Sequence, residues 1–356
     1  MRKSLYLVIL LLLSFGVTGA GCVSISSTKS VDGGVFRSDD SAESWMQKVF
    51  VRVDKKKTIT LNNVNPTVMV FHPENKDIIY IGTDSNGIWR TMDRGETWTA
   101  FGVSSGNYST ISIDPLTPET VYTATGSSII KTEDDGANWE TIYLEPRSQL
   151  IVSVNVDYYD PSRIIAATQD GQIIESIDSG ETWTTLNSDS PLKTTIKRLY
   201  VNTSDTRIIY AVSLDQGIYK STDKGSNWTL MTKEAFIDWP GANTINWFTF
   251  TEKDPEILYI ATNYGIIKSP DSGLTWQPIT TLFPFGSVPI STVDVNPDNT
   301  DEMYFTIGKV IHKTTDASTT WKTIETFPSG RKITTILMDP AAPEIIYAGT
   351  FAPKKK

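Results

Sequence analysis

Thr91-Met92-Asp93-Arg94-Gly95-Glu96-Thr97-Trp98 is the clearest copy of an eight-residue pattern, Ser/Thr-x-Asp-x-Gly-x-Thr/Asn-Trp, that recurs along the chain. Clean copies also begin at Thr132 (Asp134, Gly136, Asn138, Trp139), Ser176 (Asp178, Gly180, Thr182, Trp183), Ser221 (Asp223, Gly225, Asn227, Trp228) and Ser269 (Asp271, Gly273, Thr275, Trp276). Two copies lack the glycine: one begins at Ser38 (Asp40, Ala42, Ser44, Trp45), the other at Thr314 (Asp316, Ser318, Thr320, Trp321). Successive starts lie 53, 41, 44, 45, 48 and 45 residues apart. A period of that length marks a propeller or a solenoid built from one supersecondary unit per repeat.

The repeat extends beyond the box. Thr110-Ile111-Ser112-Ile113-Asp114-Pro115, Val121-Tyr122-Thr123-Ala124-Thr125 and Ile129-Ile130-Lys131 lead into one copy, and Val68 to Pro73, Ile79 to Thr83 and Gly87 to Arg90 lead into another. Short β-branched and aromatic runs separated by Asp-Pro, Gly and Asn turns read as strands, four to a unit. Four strands in about 45 residues make a propeller blade. Six complete units run from about Pro66 to Trp321. Ile333 to Thr350 supplies the first two strands of a further unit, and Gly33 to Val51 the last two. The expected fold is therefore all-β: a seven-bladed β-propeller over residues 33–351, closed by pairing the two ends of the chain in a split blade.

The ends carry a different signal. Arg2 and Lys3 precede the apolar run Leu5 to Leu13, and small residues follow up to Cys22, which is the pattern of a secretory signal over residues 1–22. Cys22 is the only cysteine, which excludes an intrachain disulfide and a thiolate metal cluster. A cysteine directly after Ala20-Gly21 resembles the lipobox of bacterial lipoproteins, with Gly19 where that family usually has Leu. The resemblance implies lipidation of Cys22 and anchoring to the outer side of a bacterial cytoplasmic membrane, or a periplasmic or outer-membrane lipoprotein. Residues 23–32, rich in Ser and Thr, read as a flexible tether, and residues 352–356 as a basic, solvated tail. Without Arg2 and Lys3 the 32 basic residues fall to 30 against 41 acidic, a formal charge of −11. No basic stripe tracks a phosphate backbone, so nucleic acid is not an expected partner.

The boxes resemble the Asp-box (BNR) repeat of bacterial sialidases, sortilin-type receptors, xyloglucanases and the photosystem II assembly factor family. That resemblance implies a hairpin between the third and fourth strands of each blade. The chemistry suits the place. A short Asp side chain accepts backbone N–H groups across a turn, glycine takes positive φ at little cost, and a Trp buries about 150–250 Å² between blades. Ala42 and Ser318 are expected to strain their hairpins or to adopt another turn. Spaced around a ring, the seven Asp residues converge on no common atom, and they read as architecture rather than as a catalytic or metal site.

Function is expected on the face opposite the boxes, where rigidly held loops surround the channel mouth. The second-to-third-strand loops contain Asp84, Asn86, Asp170, Asp215, Gln216, Asn263, Tyr264 and Lys309. The blade connections add Glu145, Arg147 and Arg331, together with two departures from the repeat: Ala235-Phe236-Ile237-Asp238-Trp239-Pro240-Gly241 and Leu282-Phe283-Pro284-Phe285. Trp239 beside Asp238 suits a sugar or a protein hot spot; otherwise the segment folds back over its own blade. Asp84, Asp170, Asp215 and Asp238 offer carboxylates for a glycosidase pair. Sialidases also need an arginine cluster, for which only Arg147, Arg198 and Arg331 are placed. Two isolated histidines, His72 in a turn and His312 on a third strand, do not make a metal site, and no cofactor motif is present.

Taken whole, the chain is similar to the single propellers of the photosystem II assembly factor family and to sortilin N-terminal propellers. What the resemblance implies is a monomeric, membrane-tethered extracytoplasmic scaffold that binds a protein. The alternative is a carbohydrate-active propeller, either a glycan-binding module or a glycoside hydrolase.

Overall fold

Each unit becomes one four-stranded antiparallel sheet in the computed structural model, which describes residues 33–187 and 192–352. Blade 1 comprises Pro66–Phe71, Ile79–Thr83, Ile88–Thr91 and Thr99–Ala100, running from the channel outward. The inner strands of blades 2 to 6 are Ile111–Ile113, Ile151–Val156, Ile196–Val201, Ile245–Phe250 and Thr292–Val295. Blade 7 is the split one: Lys332–Met338 and Ile346–Phe351 pair with Gly34–Ser38 and Met46–Gln47. Its closing register runs from Gly34 opposite Thr350 to Ser38 opposite Ile346. Seven such sheets are present, as the repeat count requires. The signal, Cys22, the tether and the terminal lysines lie outside the described residues.

One element was not foreseen. Val51 does not extend blade 7; it belongs to a separate hairpin, Phe50–Asp54 paired with Lys57–Thr60, in the connection from blade 7 to blade 1. Ala235 to Gly241 forms consecutive turns, with Phe236 N–H donating to the Thr232 carbonyl at 3.1 Å and Trp239 N–H to that of Phe236 at 3.2 Å.

Second strands are buried along their whole length in blades 1, 3, 4 and 5, because each blade is sandwiched between two others. Six of the seven carry a buried Tyr: Tyr80, Tyr122, Tyr210, Tyr259, Tyr304 and Tyr347. The Lys or Arg just before each box stands opposite that Tyr in register, and in five blades its cation lies 5.3–5.9 Å from the ring centroid. These cations also reach the next blade. Arg37 donates to the Arg94 carbonyl at 2.7 Å, Lys131 to Ser179 at 3.3 Å, Lys220 to Ser272 at 2.9 Å and Lys313 to Ser41 at 3.4 Å, while Arg90 pairs with the Asp135 carboxylate. Blade 3 has Ile165 opposite Glu175 at these positions. There Arg163, held by Asp157 and Glu175, supplies the bond to the next blade, 2.8 Å to the Lys224 carbonyl.

The boxes join third to fourth strands throughout. In the first, Asp93 accepts Thr97 N–H at 2.8 Å and the Thr97 and Thr91 hydroxyls at 2.7 Å each, and Thr91 Oγ accepts Gly95 N–H at 2.8 Å. The fourth and fifth box residues are both left-handed, Arg94 at φ 57° and Gly95 at φ 89°. Ala42 and Ser318 keep the same turn at φ 72° and 67°, so strain rather than a different turn is the outcome. Only Trp98 and Trp45 of the box Trp residues are buried; the other five are half-buried. Each still packs on the preceding blade's side, as Trp183 Nε1 does in donating to the Ile142 carbonyl at 3.2 Å and Trp321 Nε1 to Thr280 at 2.9 Å.

Candidate interaction surface

Two sets of turns divide the faces. On one, the fourth box residue of every blade donates its N–H to the turn between first and second strands: Arg94 to Asp77, Asp135 to Glu119, Ser179 to Ser162, Lys224 to Arg207, Ser272 to Glu256, Ala317 to Asp301 and Ser41 to Glu344. His72 serves that turn as the aspartates do elsewhere. Its Nδ1 accepts Glu74 and Asn75 N–H at 3.2 Å, where Asp114 Oδ1 accepts Leu116 and Thr117. Burial lowers the His72 pKa and favours the neutral ring that such an acceptor needs. The box carboxylates bond only within their own hairpins, and among the described residues no group of three or more His, Cys, Asp or Glu is placed to hold a metal.

The opposite face carries the second-to-third-strand loops and the blade connections. Most of its expected residues are held in separate local networks. Asp84 accepts Asn65 Nδ2 and the Ser85 hydroxyl, both at 3.0 Å. The Asn86 carbonyl accepts Trp89 Nε1 at 2.9 Å. Asp170 accepts the Thr168 hydroxyl at 2.6 Å and Arg147 Nη1 at 2.7 Å. Burial opposes but does not cancel these bonds, and the Asp170 pKa is lowered, the wrong direction for a general acid. Asp215 and Asp238 are exposed. Among the described residues none of these four carboxylates is bonded to another.

The arginines are equally dispersed. Arg147 is occupied by buried Glu145 at 2.9 Å and by Asp170. Arg198 donates to the Ser109 carbonyl in the channel, and the Arg331 guanidinium covers Gly33, where a Cβ would meet Nη1 at 1.9 Å. Among the described residues these three arginines are not brought together into one network.

What the structure brings together is the two departures from the repeat and Tyr264. Phe236 and Trp239 from the blade 4–5 connection, Tyr264 from blade 5 and Phe285 from the blade 5–6 connection form a continuous stack. Its centroids are 5.5 Å (32°), 5.9 Å (15°) and 5.1 Å (6°) apart. Trp239 is half-buried against Phe236 and Tyr264, as the folded-back alternative for this segment implies. Around the stack, Ile237 is 74% exposed, Leu282 50% and Phe285 41%. Phe283 carries this surface into an apolar groove of about 490 Å³ with Ile307, His312, Ile324 and Phe327. His312 lies against Phe305 at 4.6 Å, and burial lowers its pKa to about 4, so it is neutral there.

A further feature escaped the sequence reading. On the box side the channel opens into a cavity of about 470 Å³ to which all seven blades contribute, among them Val70, Ile113, Tyr158, Phe250, Asp294 and Leu337. Asp294 is the one acid in any inner strand, and that singularity was the available signal. It accepts Met338 N–H at 2.9 Å and Val295 N–H at 3.1 Å, and burial raises its pKa to about 6.

Ring, boxes and closure define the class: a seven-bladed β-propeller. The family model described as "Sortilin, neurotensin receptor 3" matches residues 127–265, and no curated protein matches in sequence. Among solved structures, YCF48 bound to D1 peptide is 16% identical, covering 82% of this chain and 94% of that one at a TM-score of 0.61. YCF48 from Cyanidioschyzon merolae is 16% identical, covering 81% and 95% at 0.59. The GH74 enzyme of Niastella koreensis is 18% identical, covering 81% and 51% at 0.64. The chain thus spans about half the length of that glycoside hydrolase and nearly all of the YCF48 chains. It is a propeller similar to those of sortilin and YCF48, on a fold shared by a peptide-binding protein and by enzymes.

Proposed function

We propose that this chain is a membrane-tethered, extracytoplasmic binding protein that takes a segment of another protein on the face opposite its boxes, across blades 4 to 6. The observation that carries this is the self-stacking of the aromatics. A sugar ring seeks an open aromatic face, but Tyr264 is stacked near-parallel with both Trp239 and Phe285, and Trp239 also packs against Phe236. What stands exposed for a ligand is Phe285 together with the aliphatic Ile237 and Leu282. That is the composition of a protein hot spot with an adjoining groove. Coverage of 94% of a propeller solved with a peptide supports the same reading. The tether rests on the lipobox-like Cys22, and one propeller acting as a monomer suffices. A glycoside hydrolase lacks support on this face, where the candidate acids stand apart and Asp170 has a lowered pKa.

The test is crosslinking of the full chain in native membranes with identification by mass spectrometry, beside a variant carrying Ile237→Asp and Phe285→Ser. Both positions are exposed enough to leave the fold intact. A defined protein captured by the parent and lost in the variant is expected. A chain that captures no protein but binds or cleaves oligosaccharide refutes the proposal.

A further inference from the structure

The hairpin between blades 7 and 1 concentrates positive charge in a chain that is acidic overall. Arg52, Lys55, Lys56 and Lys57 are all exposed, with Asp54 the single acid among them, in a chain of formal charge −9. Most cations on the blades are engaged, as Arg37, Lys48, Arg90, Arg147 and Arg163 are with carboxylates. Among the described residues none of the four hairpin cations forms an ion pair.

The turn is costly in the same place. Asp54 pairs opposite Lys57, leaving Lys55 and Lys56 as a two-residue loop at φ 44° and 68°. A turn with both central residues left-handed ordinarily uses Asn-Gly or Gly-Gly. Two lysines there exchange backbone ease for charge at the tip, and strain kept at an exposed site points to use. Val53, beside the tip, is 62% exposed.

Position supplies the partner. Gly33, where the described chain begins, donates its N–H to the Asn62 carbonyl at 3.1 Å, two residues beyond the hairpin. At the other end Ala352 exchanges hydrogen bonds with Asn65 at 2.9 and 3.1 Å, and Lys354, Lys355 and Lys356 follow it in sequence. Ten residues, 23–32, separate Cys22 from Gly33, a reach of at most about 35 Å. We infer that this hairpin docks on an anionic lipid surface beside the anchor, its lysines among the headgroups and Val53 at their edge, and so fixes how the propeller faces the membrane. The inference rests on the tether reading above. Its physics is the pairing of an acyl anchor with a polybasic patch.

The test separates the two ideas. The full chain carrying Cys22→Ser, which cannot be acylated, is sedimented with phosphatidylcholine vesicles, with or without about one third phosphatidylglycerol, at about 50 and about 500 mM salt. Binding to the anionic vesicles alone, at low salt alone, is expected. Changing Arg52, Lys55, Lys56 and Lys57 to Glu should weaken it by about 1,000-fold or more at an unchanged unfolding midpoint. Equal binding of parent and variant, or no binding to anionic vesicles at low salt, overturns the inference. So does a variant that loses a protein crosslink in native membranes when vesicle binding is absent, which assigns the hairpin to a protein instead. The mass of exported Cys22 tests the tether separately, and an unmodified thiol there leaves the vesicle result standing.

Discussion

The fifth box position gives the sharpest test of the physics, because the chain itself holds seven variants of it: Gly95, Gly136, Gly180, Gly225, Gly273, Ala42 and Ser318, all at φ between 67° and 98°. An Ala there costs about 1–2 kcal/mol of left-handed strain, less about 0.4–1 kcal/mol regained from a stiffer unfolded chain. What differs is room. At Gly273 an added Cβ would meet Trp276 at 3.4 Å and Met231 at 3.5 Å, ordinary contact. At Gly136 it would meet the Phe101 ring at 2.7 Å, and that ring is held edge-on by Tyr80 and Trp139. Gly273→Ala should therefore cost about 1 kcal/mol or less, while Gly136→Ala adds about 1–3 kcal/mol of overpacking. Unfolding entropy of about 2.1 cal/mol/K per residue makes 1 kcal/mol worth about 1–2 °C in a ring of this size. The expected losses in Tm are then about 1 °C for Gly273→Ala and about 3–6 °C for Gly136→Ala, read by calorimetry. Ser318→Gly runs the other way and should gain about 0.5–1 kcal/mol. Ala42→Gly should gain nothing, since its methyl is fully buried beside Trp45 and Phe36 and removing it costs about 0.8 kcal/mol. Equal losses at positions 136 and 273, or a destabilising Ser318→Gly, would refute the reasoning.

Asp93→Ala removes the acceptor of one N–H and two hydroxyls; it should lower stability by about 1–3 kcal/mol and leave partner capture on the opposite face unchanged, and lost capture at full stability would contradict the architectural role. The raised Asp294 pKa means that the folded state keeps a proton between about pH 4 and 6 that the unfolded chain releases, so stability falls as pH rises through that window and is level above it. Asp294→Asn should remove that slope and gain about 1–3 kcal/mol at pH 8, the lower end if lumen water screens the charge; an unchanged slope in urea unfolding between pH 4 and 8 dismisses the assignment. Deleting residues 333–356 removes the two inner strands of blade 7 and should yield an aggregating open ring; a soluble, cooperatively melting monomer would contradict ring closure by the chain ends.

The seven blades were legible because the box combines three requirements seldom met by chance: a short acceptor, a residue at positive φ, and an indole. Ala42 and Ser318 did not obscure the count, since Ser38 and Thr314 still donate to Asp40 and Asp316 and accept the N–H of residues 42 and 318. The hairpin at 50–60 was hidden by its position: Val51 and Val53 alternate as a fourth strand would, and nothing local distinguishes the outer edge of a blade from an inserted pair. Face membership followed from strand order, which puts Asp84, Arg147 and Asp170 in loops at one end of the sheets. Their engagement was not legible, because whether Arg147 meets Asp170 depends on how two blades abut, 23 residues apart in sequence. The stack of Trp239, Tyr264 and Phe285 was missed for the same reason. Its members come from three loops, each read singly as an aromatic in a turn.

The two faces differ in what their side chains have left to offer. On the box face every hairpin satisfies its own carboxylate and hydroxyls, and the cation of one blade is spent on the next, by Lys220 at 2.9 Å and even in blade 3 by a relocated Arg163 at 2.8 Å. Relocation of that cation alongside loss of the Tyr–Lys pair marks a requirement of assembly rather than of a ligand. The departures from the repeat, at 50–60, 235–241 and 282–285, all fall in connections between blades. There they leave exposed what assembly does not consume: Phe285, aliphatic side chains and the hairpin cations. A ring whose repeats must match their neighbours can vary only where the chain leaves one sheet for the next. The binding surface and the basic hairpin are therefore consequences of the same constraint that makes the boxes alike.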